Sequence, residues 1–202
     1  MTWKHSARIA VGFGAILVSA CKGPLQSEAP PPAVPAEVAK ENTQIGPRTS
    51  PLSVGDRAPQ FVLSDQNGDP VSSGELLSGK GSLLAFAPGA DSPAARSVYE
   101  WARNQSAFLK QQGIEILIVT PDAPAKNRTV AERENLHVAL LSDPGSWISR
   151  GFGATDKKSA AAFYYLIGSD ARVQYATAGA PDAPMILMAA ETKPGAAKKG
   201  FF

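Results

Sequence analysis

The chain of 202 residues holds one cysteine, Cys21, and two histidines, His5 and His137. A single thiol cannot close a disulfide within the chain. Nor can it supply a Cys-ligated zinc or an iron–sulfur centre. Cys21 precedes every segment with the pattern of a folded domain, so the folded part has no cysteine nucleophile. Charge of one sign is also lacking: Lys plus Arg number 20 against 18 Asp plus Glu, and Lys4 and Arg8 lie in the leader, leaving the rest balanced. Such a surface has no electrostatic footprint for nucleic acid and no polybasic patch for anionic lipid. No phosphate loop follows Gly151-Phe152-Gly153, and no G-x-S-x-G elbow exists, so Ser92 and His137 are not expected to build a hydrolase triad. Carboxylates are scattered without ligand spacing, so neither a metal nor a cofactor is expected.

What is present begins with a leader. Lys4, His5 and Arg8 precede an apolar run from Ile9 to Ala20, about 12 residues long and short of the roughly 20 needed to span a bilayer. A charged start and a short apolar run read as a secretory signal peptide over 1–20. The run ends Val18-Ser19-Ala20-Cys21, which resembles the lipobox of bacterial lipoproteins. That resemblance implies acylation of Cys21, a membrane lipid anchor, and a place in the cell envelope on the periplasmic or other extracytoplasmic face. Lys22 is not the aspartate associated with inner-membrane retention, so outer-membrane sorting stays open.

Residues 21–51 form a Pro-rich linker, with Ala29-Pro30-Pro31-Pro32-Ala33-Val34-Pro35 favouring extended polyproline geometry. A coil of that length spans roughly 30 Å and a fully extended one about 90 Å, enough to hold a domain off a membrane. Residues 191–202 are rich in Lys, Gly and Ala, end in Phe201-Phe202, and read as a flexible tail.

The folded domain is expected over 52–190, and its punctuation is α/β. Phe61–Asp65 reads as a strand closed by the turn Gln66–Asp69, and Ser73 as the cap of a short helix over 74–77. The apolar runs Ser82–Ala87 and Ile114–Val119 suit strands buried on both faces. Helical spacing covers Pro93–Gln112, stopped by Gly113, then Ala123–Glu134, Trp147–Phe152 and Pro184–Ala190. Ala139–Leu141 is a short strand, and Phe163–Ile167 with Arg172–Tyr175 flank a hairpin turn. Strands alternating with helices before a final hairpin imply a mixed central sheet with helices on both faces. Trp101, Trp147, Tyr164 and Tyr165 are expected in its core.

Four ordered stretches carry a family resemblance. Val54-Gly55-Asp56-Arg57-Ala58-Pro59-Gln60-Phe61-Val62-Leu63 resembles the opening signature of the peroxiredoxin family, and Ala87-Pro88-Gly89-Ala90-Asp91-Ser92-Pro93 its active-site loop. Gly113–Asp122 and Leu140-Leu141-Ser142-Asp143-Pro144 resemble its next two strand ends. The loop is most like the bacterioferritin-comigratory branch. The resemblance covers about residues 52–178 and implies a thioredoxin-like fold and thiol-dependent reduction of peroxides.

The family's loop sets a Pro, a hydroxyl four residues on, and a thiol three further, at a helix start where the dipole and an Arg depress its pKa. Those positions fall on Pro88, Ser92 and Ala95, and a methyl group has no lone pair with which to attack. The branch's resolving cysteine falls on Glu100 and the supporting Arg near Ala162, with Lys157 and Lys158 upstream. Arg96, beside Ala95, reads as a solvated helix residue with an anion at the helix start as the alternative. The expectation is a catalytically silent envelope protein whose vestigial peroxide pocket at Pro88, Ser92 and Ala95 binds an envelope protein or a small ligand. The alternative is a thiol-dependent peroxidase, as the family resemblance implies.

Overall fold

The computed structural model describes residues 46–77, 79–89, 91–154 and 162–192. Cys21, the leader, most of the linker, Lys157, Lys158 and the tail beyond Thr192 lie outside the described residues.

Seven strands build one sheet: β1 Val62–Ser64, β2 Pro70–Ser72, β3 Gly81–Phe86, β4 Ile114–Thr120, β5 Ala139–Ser142, β6 Phe163–Ile167 and β7 Val173–Ala178. Their order across the sheet is β2-β1-β5-β4-β3-β6-β7. The central pairs β3–β4 and β4–β5 are parallel; the flanking pairs β1–β2, β1–β5, β3–β6 and β6–β7 are antiparallel.

The unbroken apolar runs take the centre because both sheet faces are covered. Leu83, Ala85, Ile116, Ile118, Leu140 and Tyr164 point into one core cluster, while their alternates Leu84, Phe86, Leu117, Val119, Leu141 and Tyr165 point into a second. On the first face lie helices α1 Pro93–Gln111, α2 Pro124–Arg133 and α4 Ala183–Glu191. They are seated by Val98, Ala102 and Leu109, by Val130, and by Ile186 respectively. The second face is closed by α3 Trp147–Gly151 and the segment before β1, through Ile148, Phe152, Leu52 and Phe61. Phe86, Phe152 and Tyr165 stack there with ring centroids 5.0–5.8 Å apart.

Helix ends follow their local chemistry. Ser92 caps α1 and Pro93 opens it, where a missing N–H costs nothing. Gly113, at φ +80°, turns the chain out of the helix. Asp143, almost wholly buried, caps α3: its carboxylate accepts from the N–H of Trp147 (2.9 Å) and Ser149 (2.9 Å) and from the Ser149 hydroxyl (2.8 Å). A second buried polar cluster ties α2 to the strand ends. Thr120 Oγ1 donates to Asn127 Oδ1 (2.8 Å), and Asn127 Nδ2 donates to Ser142 Oγ (2.9 Å). Gly81 opens β3 at φ +122°, where a Cβ would collide with the Ile167 carbonyl of the neighbouring strand.

One local reading is corrected and one element is added. Ser73 caps no helix; its Oγ accepts from the Phe61 N–H (3.0 Å), stitching the ends of the β1–β2 hairpin, and only a 3₁₀ turn at Glu75–Leu77 follows. Pro70–Ser72, for which the sequence offered no strand signal, is an edge strand, a position where proline's missing donor is harmless.

Candidate functional site

The site forms where β3 ends beside the start of β6. Their antiparallel register pairs Phe86 with Phe163, so the residues after β3 meet the residue before β6. The chain leaves β3 through Ala87, whose N–H donates to the Val119 carbonyl (2.9 Å), then Pro88 and Gly89 at φ +121°. Pro88, Ser92, Pro93, Ala94 and Ser97 form one wall of an open cleft of about 670 Å³. Ala162, just before β6, and Tyr164 within it line the cleft, and Gly179 and Ala180 close it from the loop after β7. That loop is fixed by the Gly179 N–H on the Ala162 carbonyl (2.8 Å). Trp101 Nε1 donates to the Pro181 carbonyl (2.9 Å) while its ring meets Tyr164 edge-on at 5.3 Å.

Pro88 and Ser92 are thus brought together with Ala162 on one cleft. Ala95 is not on its surface: it lies fully buried in the first turn of α1, and its N–H donates to Ser92 Oγ (3.1 Å). The Ser92 hydroxyl in turn donates to the Gly89 carbonyl (2.9 Å). Both roles of this hydroxyl are used inside the turn. Glu100 and Arg96 are exposed on α1. His137 is exposed ahead of β5, and the hydrogen bonds of Ser92 stay in its own turn, so no triad assembles.

Among the described residues, no Asp, Glu, Lys, Arg or His lines the cleft. The Tyr164 phenol on its wall is pushed up to about 12 by burial and stays neutral. Tyr99, deeper in α1, is pushed higher by burial and by the nearby Asp122. The charges gather instead between the loop before α1 and α2. Asp91 pairs with Lys126 (3.2 Å) and Arg133 (3.3 Å), Lys126 with Asp122 (2.8 Å), and Arg133 with Glu134 (3.0 Å). Lys126, then Arg133, hold the Asp91 carboxyl below the usual carboxylate range. These exposed pairs orient the loop and add little stability. The described lining of the cleft therefore offers shape and apolar contact.

Tyr164, Gly179 and Ala180 were not read as site residues. Tyr164 carried only a core signal, and Gly179-Ala180 reach the cleft through the β6–β7 hairpin, which local sequence does not reveal. Trp147, expected in the core, is 40% exposed, its ring lying 4.5 Å beneath the Arg150 guanidinium.

Comparison with known proteins matches residues 54–176 to the AhpC/TSA family. Peroxiredoxin Bcp of Escherichia coli is 34% identical over 110 residues, covering 54% of this chain and 70% of that protein. The crystal structure of peroxidoxin BcpB from Mycobacterium tuberculosis superposes with a TM-score of 0.61 at 22% identity, over 69% of this chain and 96% of that one. Mycobacterium tuberculosis AhpC superposes at 0.56 with 16% identity, over 69% and 96%. The sheet and its helices are accordingly a thioredoxin-like peroxiredoxin fold, as the four sequence stretches implied.

Proposed function

This chain belongs to the AhpC/TSA family, and from that premise we propose that it serves as a catalytically silent, lipid-anchored binding protein of the cell envelope. The observation that carries the reading is Ala95: where the family resemblance calls for an attacking thiol, a buried methyl group stands at the start of α1. The sulfur of the described residues is confined to two methionines. The partner of this reading is a small uncharged ligand or a side chain of an envelope protein, seated in the cleft at Pro88 and Ser92. The anchor is Cys21, whose thiol would be consumed by acylation, and the linker holds the domain off the membrane surface.

The test is turnover. The full chain, mixed with hydrogen peroxide and a thioredoxin system, is expected to consume peroxide no faster than buffer. Catalytic consumption that survives Cys21→Ser would overturn the silent reading in favour of a working peroxidase. Labelling with a radioactive fatty acid tests the anchor separately: label should appear on the chain and vanish in Cys21→Ser.

A further inference from the structure

The chain has three methionines, and the two in the described residues lie together on α4: Met185 is 49% exposed and Met188 66%. Three positions apart, they share one helix face. The opposite face carries Ile186, fully buried, and Leu187, packed on the same core. The helix is further held by the Thr192 hydroxyl on the Met188 carbonyl (2.9 Å) and, just before its start, by the Trp101–Pro181 hydrogen bond.

We propose that Met185 and Met188 form a reversible oxidation site on the exposed face of α4. A thioether is a nucleophile without losing a proton, so the site needs no base, arginine or helix dipole. The sulfur lone pair attacks one oxygen of hydrogen peroxide, the O–O bond breaks, and the leaving hydroxide takes up the remaining proton as water. Sulfur is oxidised to the sulfoxide and peroxide is reduced to water. A methionine sulfoxide reductase restores the thioether with two electrons from a dithiol, which becomes a disulfide while the oxygen leaves as water. Because both sulfurs point away from the core, the added oxygens meet solvent. The fold survives, while an apolar surface becomes strongly hydrogen-bond-accepting.

The experiment treats the full chain with hydrogen peroxide beside an unhindered methionine peptide, then maps the tryptic fragment that begins at Val173, which holds both residues. The expected result is a gain of two oxygen atoms at the reference peptide's rate, reversed by methionine sulfoxide reductase. Met188→Leu should halve the gain, and Met185→Leu with Met188→Leu should abolish it. The oxidised chain should keep its thermal transition and lose retention on a hydrophobic-interaction support. A fragment left unoxidised when the reference is fully converted would overturn the site. Loss of the thermal transition, or unchanged retention, would overturn the surface switch.

Discussion

Ala95→Cys, made in a Cys21→Ser background, should yield a thiol that stays mostly protonated at neutral pH and reduces peroxide poorly. An ordinary thiol with a pKa near 8.5 is roughly 3% ionised at pH 7. The position is third in α1, close to the positive end of the helix. That end contributes about 1 kcal/mol, less than one pKa unit, and raises the thiolate to about 15%. Complete burial of the position works the other way. Among the described residues, no Arg, Lys or His lines the cleft to add to the dipole. Adding Ala162→Arg puts a guanidinium on the same cleft, and a cation about 4 Å away in a half-polar surrounding is worth up to about 4 kcal/mol. That suffices for full ionisation, so the double variant should react at least about sevenfold faster from thiolate fraction alone. Thiolate absorbance followed against pH gives the ionisation, and single-turnover peroxide consumption gives the rate. The reasoning fails if the single variant ionises well below neutral pH or matches the double variant's rate, since the cation would then come from somewhere other than Ala162.

Three further outcomes test the fold. Phe152→Ala empties the aromatic cluster with Phe86 and Tyr165 and should cost about 3–5 kcal/mol, read from the urea midpoint at unchanged slope. Asp143→Ala strips the cap of α3 and leaves its first N–H groups and the Ser149 hydroxyl unpaired, an expected loss of about 2–4 kcal/mol by the same measurement. Stability should also fall at alkaline pH. Burial raises Tyr164 and Tyr165 to about 12, whereas unfolded tyrosines ionise near 10. The folded state thus favours the neutral phenols, so their contribution is whole below about pH 10 and is lost as pH climbs toward 12. Circular dichroism alongside tyrosinate absorbance checks this; a stability flat across that window would contradict it.

Reading the chain succeeded where one residue sets its own neighbourhood. Ser82–Ala87 and Ile114–Val119 declared buried strands by unbroken apolar side chains, and the helical spacing from Pro93 with the stop at Gly113 bounded α1. It stopped where distant segments meet. β2 is three residues opening on a proline, too short for a periodic signal. Asn127 is polar in sequence but wholly buried, because it reaches both Thr120 and Ser142 across two strand ends. In the site, Pro88, Ser92 and Ala95 were placed by the resemblance to the family's loop and its spacing. The cleft could not be placed so, because its far wall depends on the β6–β7 hairpin carrying Gly179 back to Ala162.

The turn that ends in Ser92 has a wider consequence. A hydroxyl that closes Gly89 to Ala95 is required by folding whether or not any substrate ever arrives; deleting it would cost about 1 kcal/mol as a lost cap. The presence of Ser92 is therefore accounted for by an orderly helix start and is not by itself a sign of a reaction. Under the proposed silent role, the same hydroxyl would still be needed by the turn it closes.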